Sequence, residues 1–382
     1  VGLLGLIAGC AAQYGLAFLI PAMRSEGTSL ETASLLVTAP IAGIMCTLIA
    51  WGAAADRWGE RRILALGLAG AGVAELGAAS VEGTLARWLL LFAVGASSSA
   101  IHSASGRLIL GWFGARERGR AMGIRQMGLP LGIAAAAVVL PPIADGGIGP
   151  ALTVVGVACL VSAGLILLIV RDPMRPPTPA GEPARSPYRE PYLWRIHAAS
   201  GLLVIPQSAL IVYAFDYLVT GLGWSITAAG ALIAGTQVGG ALSRLVAGWW
   251  SDRVRSRLGP MRIVALATGA AMVLLATLGL AQLGVAVLAL AAATVLTAAP
   301  NGLAFTAVAE RAGSRWAGRA LGVQNTFQNV IATLVPAPLA LVIGAGGGGA
   351  AGYALAFGVV VAFPFLAAAI IPAGSEGMAG DG

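Results

Sequence analysis

Residues 52–62 read GAAADRWGERR, with five charged side chains (Asp56, Arg57, Glu60, Arg61 and Arg62) in the last seven positions. On either side, 31–55 and 63–81 are almost uniformly apolar, broken only by Glu31 and Glu75. Ionisable residues are rare inside a bilayer because each is costly there. Charge this dense between two such runs therefore reads as a short loop at a membrane surface. The pattern returns 196 residues later as GWWSDR, 248–253, against GAAADR, 52–57. A second echo, GRAMG at 119–123 and GRALG at 318–322, is displaced by 199 residues. Both echoes fall at matching places, the end of a second apolar run and the start of a fifth, which argues for a duplicated unit of six helices.

Composition agrees. The 382 residues are 58% hydrophobic and 10% charged, where a soluble domain carries about a quarter charged residues. Runs of roughly 20 apolar residues read as membrane helices. They fall at 1–20, 31–55, 63–81, 86–111, 119–141 and 150–170, then at 196–219, 227–250, 261–281, 284–309, 319–341 and 351–372. The expected fold is an all-α membrane protein with twelve transmembrane helices in two pseudo-symmetric six-helix bundles. The bundles occupy 1–170 and 196–372, joined by a Pro-rich, charged linker at 171–195 that should hold little regular structure, and followed by a tail at 373–382. LIAGC at 6–10 resembles a lipoprotein cleavage box; residues 1–20 are read as a first membrane helix, with a removed signal as the alternative.

The net charge of +7 comes wholly from arginine, there being no lysine. The arginines gather in the loops at 56–62, 112–118, 171–195, 251–260 and 310–318, and the opposite loops hold only Arg24 and Arg87. That asymmetry expresses membrane topology rather than nucleic-acid binding. It puts both termini and the linker in the cytoplasm of an inner-membrane, multi-pass protein. Cys10, Cys46 and Cys159 all lie inside apolar runs, without metal-ligand spacing, and read as small packing residues. No metal site, cofactor motif or nucleophile–base pair is visible, so the chain does not read as an enzyme. Parallel six-helix repeats are an architecture of secondary transporters.

The loop residues Gly52, Asp56, Arg57, Gly59, Arg61 and Arg62 resemble the helix 2–3 signature of the major facilitator superfamily, and the resemblance covers essentially the whole chain. The second copy, Gly248, Asp252 and Arg253, is degenerate. In that family the loop latches the halves in the outward-open state, which implies that Asp56 engages the start of the eleventh span near Arg319. A carboxylate beside a helix N-terminus is favoured by the dipole and the unpaired N–H groups; the plainer alternative is that these arginines only set topology. WFGARERGRAMGIRQMGLPLG, 112–132, and SRLVAG, 243–248, also resemble the monocarboxylate and oxalate/formate carriers, in which an arginine equivalent to Arg244 binds the substrate carboxylate. The sequence departs from them at Gly240, where the monocarboxylate carriers have an aspartate, and in lacking their membrane lysines. Leu91 stands where many proton-coupled members carry an arginine.

Within the spans a few polar groups stand out. Arg244 should lie about 12 Å deeper than Asp252 at roughly 1.5 Å per residue, and a guanidinium can hold a carboxylate through two parallel hydrogen bonds. An internal ion pair is the alternative. Arg125, two turns into the fifth span, either snorkels back to the surface or serves as a second anion contact. His102 could titrate near neutral pH or be a hydrogen-bonded packing residue. Asp216, Glu75 and His102 are candidates for carrying a proton. Tyr14, Gln13, Gln207, Tyr213, Gln237, Asn301, Gln324, Asn325, Gln328 and Asn329 could complete a midplane site or simply bond helices together. Pro300-Asn301-Gly302 should interrupt the tenth span.

The expected function is a monomeric secondary transporter of a small organic anion, a monocarboxylate by resemblance, working by alternating access with a symport or antiport partner that includes the proton as a candidate. The alternative is a drug or hydrophobic-compound efflux antiporter of the same fold. The few buried acids and 6% aromatic content count against that alternative.

Overall fold

The computed structural model describes residues 2–112, 124–125, 127–172 and 186–372, and within these gives backbone alone for 49, 56, 106, 107, 109–111, 313–315 and 317–319. Twelve helical segments in it are long and apolar enough to cross a membrane. They are α1 (Gly2–Ser25), α2 (Leu30–Leu48), α3 (Glu60–Ser80), α4 (Thr84–Ser105), α5 (Gly128–Gly146), α6 (Ile148–Ile169), α7 (Pro191–Gly221), α8 (Ile226–Arg253), α9 (Leu258–Leu280), α10 (Ala286–Ala312), α11 (Ala320–Ala345) and α12 (Ala350–Ile370). No strand occurs among the described residues. The chain is an all-helical, multi-pass membrane protein, as its apolar runs require.

Three features differ from the sequence expectation. The backbone is helical without a break from Ala286 to Leu334, through both Pro300 and the loop expected at 310–318. Pro300 forfeits one backbone hydrogen bond, and the surrounding helix persists. RAGSRWAGRA, 311–320, has no proline and is rich in alanine and arginine, good helix formers, so it leaves the apolar region still helical. α7 begins at Pro191, inside the stretch read as linker, after a 3-10 turn at Pro187–Arg189 that Ser186 caps through Tyr188 N. Cys46 is exposed, unlike the buried Cys10 and Cys159, so it is not a packing residue.

The chain divides into two compact units. The first holds Val1–Ala180, Ile211–Gln237 and Pro336–Leu341, so it takes in α1–α6, the last part of α7, the first part of α8 and a short piece of α11. Small residues let its helices approach closely. A Cβ on Gly95 would lie 1.8 Å from the Pro40 carbonyl oxygen, and one on Gly43 2.1 Å from that of Phe92, so α2 and α4 cross backbone to backbone. Helix ends are closed by distant carboxylates. Glu26 accepts from Ile148 N at 3.1 Å at the start of α6. Asp172 accepts from Arg61 N at 2.7 Å at the start of α3. Both use the unpaired N–H groups of a first helical turn.

The second unit holds Gly181–Leu210, Val238–Val335 and Val342–Gly382. Its core joins Leu193, Ile196 and Leu203 of α7 to Met261 and Ala265 of α9, Leu303 of α10 and Ala367 of α12. The last carbonyls of α12 are taken by arginines: Arg195 Nε donates to Ile370 O at 3.0 Å, and Arg262 donates to Ala368 O and Ile371 O at 3.1 and 2.6 Å. Positive groups there also suit the helix dipole.

Candidate functional site

In the first unit two membrane helices lose their regularity beside one another. α1 is α-helical to Tyr14, turns 3-10 from Gly15 to Leu19, and resumes at Ile20. α4 stops at Ser98 and restarts at Ala100. The α4 break is stabilised from α2 and its helical continuation to Trp58: Thr47 Oγ1 and Trp51 Nε1 both donate to Ala96 O, at 2.7 and 2.6 Å. Irregular backbone at membrane depth is tolerated where protein groups take up the released carbonyls, and broken helices mark the binding sites of many transporters.

Five side chains meet at these breaks. Gln13 Nε2 donates to Ser98 Oγ at 2.9 Å, and Gln13 Oε1 lies 2.8 Å from His102 Nε2. Arg125 donates through Nε to Ser105 Oγ at 2.8 Å and through a terminal nitrogen to the His102 carbonyl at 3.0 Å. Its guanidinium is thereby tied to the last turn of α4. Ser98 was not separable from its serine neighbours in sequence. Its signal, a serine four residues before a histidine, has meaning only once Gln13 is placed between them. Tyr14 is half-buried at the 3-10 switch and Gln237 half-buried on α8.

At the end of this unit away from the signature loop, Asp216 is fully enclosed and pairs with Arg24 at 3.4 Å. Thr220 Oγ1 donates to its other oxygen at 2.6 Å. Around them Phe18 and Phe215 meet edge to face at 5.5 Å, Tyr213 donates to Pro336 O at 2.6 Å, and its hydroxyl lies 2.7 Å from Ser34 Oγ. Glu75 is enclosed where α3 crosses α6, and its Oε2 has no hydrogen-bond partner among the described residues.

The second unit gathers the expected amides and adds residues that sequence reading missed. Asn301 donates to Gln207 Oε1 at 3.0 Å, and Gln328 donates to Asn301 Oδ1 at 3.2 Å. Gln324 and Gln328 both donate to Ser200 Oγ. Gln324 Oε1 bonds His197 Nδ1, whose Nε2 lies 3.1 Å from the Tyr188 hydroxyl. Neither His197 nor Ser200 stood out, because one turn of α7 carrying a histidine and a serine has no motif of its own. Desolvation holds the Tyr188 hydroxyl above its ordinary pKa. Asn325 is half-buried on α11, where Asn329 donates to its backbone carbonyl at 2.9 Å. Arg244, half-buried on α8, is anchored through Nε to Ala298 O at 3.1 Å, while the adjacent Ser243 donates to Val295 O at 3.1 Å.

Of the latch residues, the side chains of Asp56 and Arg319 lie outside the described residues, as does the segment around Gly119. Gly59 has φ +89°, and a Cβ there would sit 2.4 Å from Asp172 Oδ2. Gly52 has open space where a Cβ would point. Arg61 reaches Leu167 O, and Arg62 is exposed, as is Arg57. Asp252 pairs with Arg257, which also holds Glu310 at 3.0 Å. Burial works against the charge of Arg257, and these two carboxylates outweigh it, raising its pKa above the ordinary guanidinium value. Arg253 stacks over the Trp249 ring at 4.3 Å. Among the described residues no three His, Cys, Asp or Glu side chains cluster as metal ligands.

The fold has well-matched solved relatives. A bacterial homolog of the human lysosomal transporter Spinster, in an inward-facing and occupied conformation, superposes with a TM-score of 0.81 at 16% identity, covering 97% of this chain and 94% of that one. A D-xylose–proton symporter matches at a TM-score of 0.76 and 15% identity, covering 97% and 96%. In sequence, an uncharacterized MFS-type transporter of Mycobacterium tuberculosis is 40% identical over 362 residues, 94% of this chain and 80% of that protein. The Major Facilitator Superfamily profile matches residues 2–336. Twelve spans, a two-half repeat, the GAAADRWGERR loop and these likenesses agree: the chain belongs to the major facilitator superfamily and is a membrane transporter rather than an enzyme.

Proposed function

We propose that this transporter carries a small organic anion, a monocarboxylate being the favoured class, by alternating access. The observation that supports the reading is one arginine in each unit, Arg244 within α8 and Arg125 just ahead of α5, whose bonds include neutral acceptors: the Ala298 carbonyl for Arg244, and Ser105 Oγ and the His102 carbonyl for Arg125. Arg244 is gripped at Nε, the neck of the guanidinium, and the two-nitrogen end is the part that pairs a carboxylate side by side. A cation held at bilayer depth is costly, and an anionic cargo offsets that cost once per cycle. His102, Tyr14 and Gln237 in the first unit, and Asn301, Asn325 and Gln328 in the second, would supply the neutral contacts.

Asp216, His102 and Glu75 are the proposed proton carriers. The ion pair to Arg24 suits Asp216 to a gating role as well. The signature residues Gly52, Asp56, Arg57, Gly59, Arg61 and Arg62, with Asp252, Arg253 and Arg319, form the proposed latch. The arginine-rich loops support an orientation with both termini in the cytoplasm of an inner membrane.

The test is the melting temperature of the purified protein against small carboxylates, inorganic anions and lipophilic cations, beside Arg125→Ala and Arg244→Ala. A ligand that binds only the folded state raises the melting temperature. A carboxylate should stabilise the parent and neither variant. Stabilisation by cations alone, or an equal carboxylate response in both variants, overturns the anion reading.

A further inference from the structure

The residues leading into α7 are fastened to the second unit. Ser186 caps the 3-10 turn at Pro187–Arg189. The Tyr188 ring on that turn stacks on His197 at 5.8 Å, and it meets Trp194 at 5.1 Å and Trp316 edge-on at 6.4 Å. Beside it Arg311 pairs with Glu190 at 2.6 Å and lies over the Tyr192 ring at 4.9 Å. These contacts tie residues 188–192 to the continuous helix that joins α10 to α11. They leave one enclosed imidazole, His197, between a half-buried tyrosine at the membrane surface and the enclosed amide of Gln324.

The direction of the bonds sets the state of that ring. Gln324 gives its amide nitrogen to Ser200, so its oxygen is the atom that faces His197 Nδ1. A carbonyl oxygen only accepts, and Nδ1 therefore carries a hydrogen. In the neutral ring Nε2 is then a lone pair, and the Tyr188 hydroxyl, 3.1 Å away, is its donor. When Nε2 takes a proton the same bond survives in reverse, because a hydroxyl has lone pairs as well as a hydrogen. Gln324 Oε1 accepts from Nδ1 in both states. His197 can thus become charged without losing a partner, which is the condition under which an enclosed charge is tolerated. The Tyr188 ring, within 22° of parallel to the imidazole, also offers its face to a cation. The charged groups on the surrounding elements are engaged with others: Glu190 with Arg311, Glu310 with Arg257, and Arg195 with Ile370 O. Arg189 is exposed, and the side chains of Arg315 and Arg319 lie outside the described residues.

We propose that His197 is a proton-binding site of the second unit and that the Tyr188 hydroxyl is its relay to the linker side of the membrane. An acid in the water gives a proton to the Tyr188 oxygen as the hydroxyl's own hydrogen passes to Nε2. One O–H bond breaks, one O–H bond and one N–H bond form, and an oxygen lone pair is left facing the new N–H. The path ends at the ring, because Gln324 meets it with a carbonyl oxygen and an amide is not a titrating group. The hydrogen bonds continue from Gln324 through Ser200 to Gln328 and Asn301. The proton is therefore seated at the linker end of the network that holds two of the contacts proposed for the cargo. Resting on the anion-carrier reading above, it serves as a coupling ion that favours the anion-bound state.

The experiment is nitrogen NMR of the histidine-labelled full-length protein in a His102→Gln background, which leaves one imidazole, titrated from about pH 8 to about pH 4.5. Nδ1 should stay protonated throughout while Nε2 passes from lone pair to N–H. Tyr188→Phe keeps the ring contacts and removes the hydroxyl. It should lower the midpoint by about one pH unit, since a hydrogen bond to a charged group is the stronger one. The functional arm keeps both histidines and reads the gain in melting temperature from lactate over the same pH range. The gain should grow as His197 takes its proton, and Tyr188→Phe should move that growth down by the same about one unit. A bare Nδ1, a ring that does not titrate in this range, or a midpoint that Tyr188→Phe leaves in place overturns the proton site. A lactate gain that does not follow the His197 midpoint overturns its coupling to the cargo. If lactate gives no gain at any pH while the ring titrates as described, the proton site stands and the anion reading falls.

Discussion

The ion pair between Arg24 and Asp216 joins two residues 192 positions apart, and its asymmetry leads to an ordered set of outcomes. The Asp216 side chain is 0% exposed and that of Arg24 is 26% exposed. Removing one partner of a buried pair costs about 3–5 kcal/mol, because the survivor stays enclosed and charged. Arg24→Met keeps the apolar stem and strands the carboxylate. Thr220 still donates to one of its oxygens, so the low end of the range, about 3 kcal/mol, is expected. Asp216→Asn strands the arginine instead. The amide oxygen can still accept from Thr220, and Arg24 is partly open to water, so about 1 kcal/mol is expected. The double variant should cost no more than about 1–2 kcal/mol, a non-additivity of roughly 2 kcal/mol. The assay is thermal unfolding in detergent with a thiol-reactive fluorophore. Cys10 and Cys159 are buried and report unfolding, while the exposed Cys46 is first replaced by serine to remove its background. Equal and additive losses from the two single changes would refute the pair as a coupled unit.

Other outcomes follow from packing and capping. Gly95→Ala drives a methyl into the Pro40 carbonyl, 1.8 Å away, and should cost about 3 kcal/mol or prevent accumulation of folded protein, whereas Gly164→Ala, with nothing within 4 Å, should be neutral; fluorescence-detected size exclusion separates the two. Asp172→Asn weakens the cap on α3 and should lower stability by about 1 kcal/mol, while Gly59→Ala should cost more, because φ is +89° and the Cβ meets that same carboxylate. A larger loss from the aspartate change, read from melting curves, would contradict the geometry. Glu310→Gln removes an exposed partner of Arg257 and should change the melting temperature little, by an amount that shrinks further in high salt.

Much of the fold is legible because its determinants are local. Each apolar run is long enough to cross a bilayer by itself, and arginine breaks the runs where GAAADRWGERR and GWWSDR stand. The loop expected at 310–318 failed because charge ends a membrane span but does not end a helix; only backbone chemistry does that, and this stretch has no proline. The site was legible as a set of residues and not as a set of pairs. Arg125, Gln13 and His102 could all be picked out as polar groups in apolar runs. Their roles turned on Ser98 and Ser105, two serines among several with the same local setting.

The amino-acid sequence alone determines the twelve spans, the two-half repeat and the superfamily, because hydropathy, loop charge and a contiguous motif are properties of neighbours along the chain. Tertiary structure alone decides which acceptors Arg125 meets, that Asp216 finds Arg24, that α1 and α4 break side by side, and that His102 bonds Gln13 while His197 bonds Gln324 and Tyr188. A hydrogen bond or ion pair inside a bilayer is decided by which acceptor lies within about 3 Å, and that partner sits on another helix, tens to hundreds of residues away in sequence.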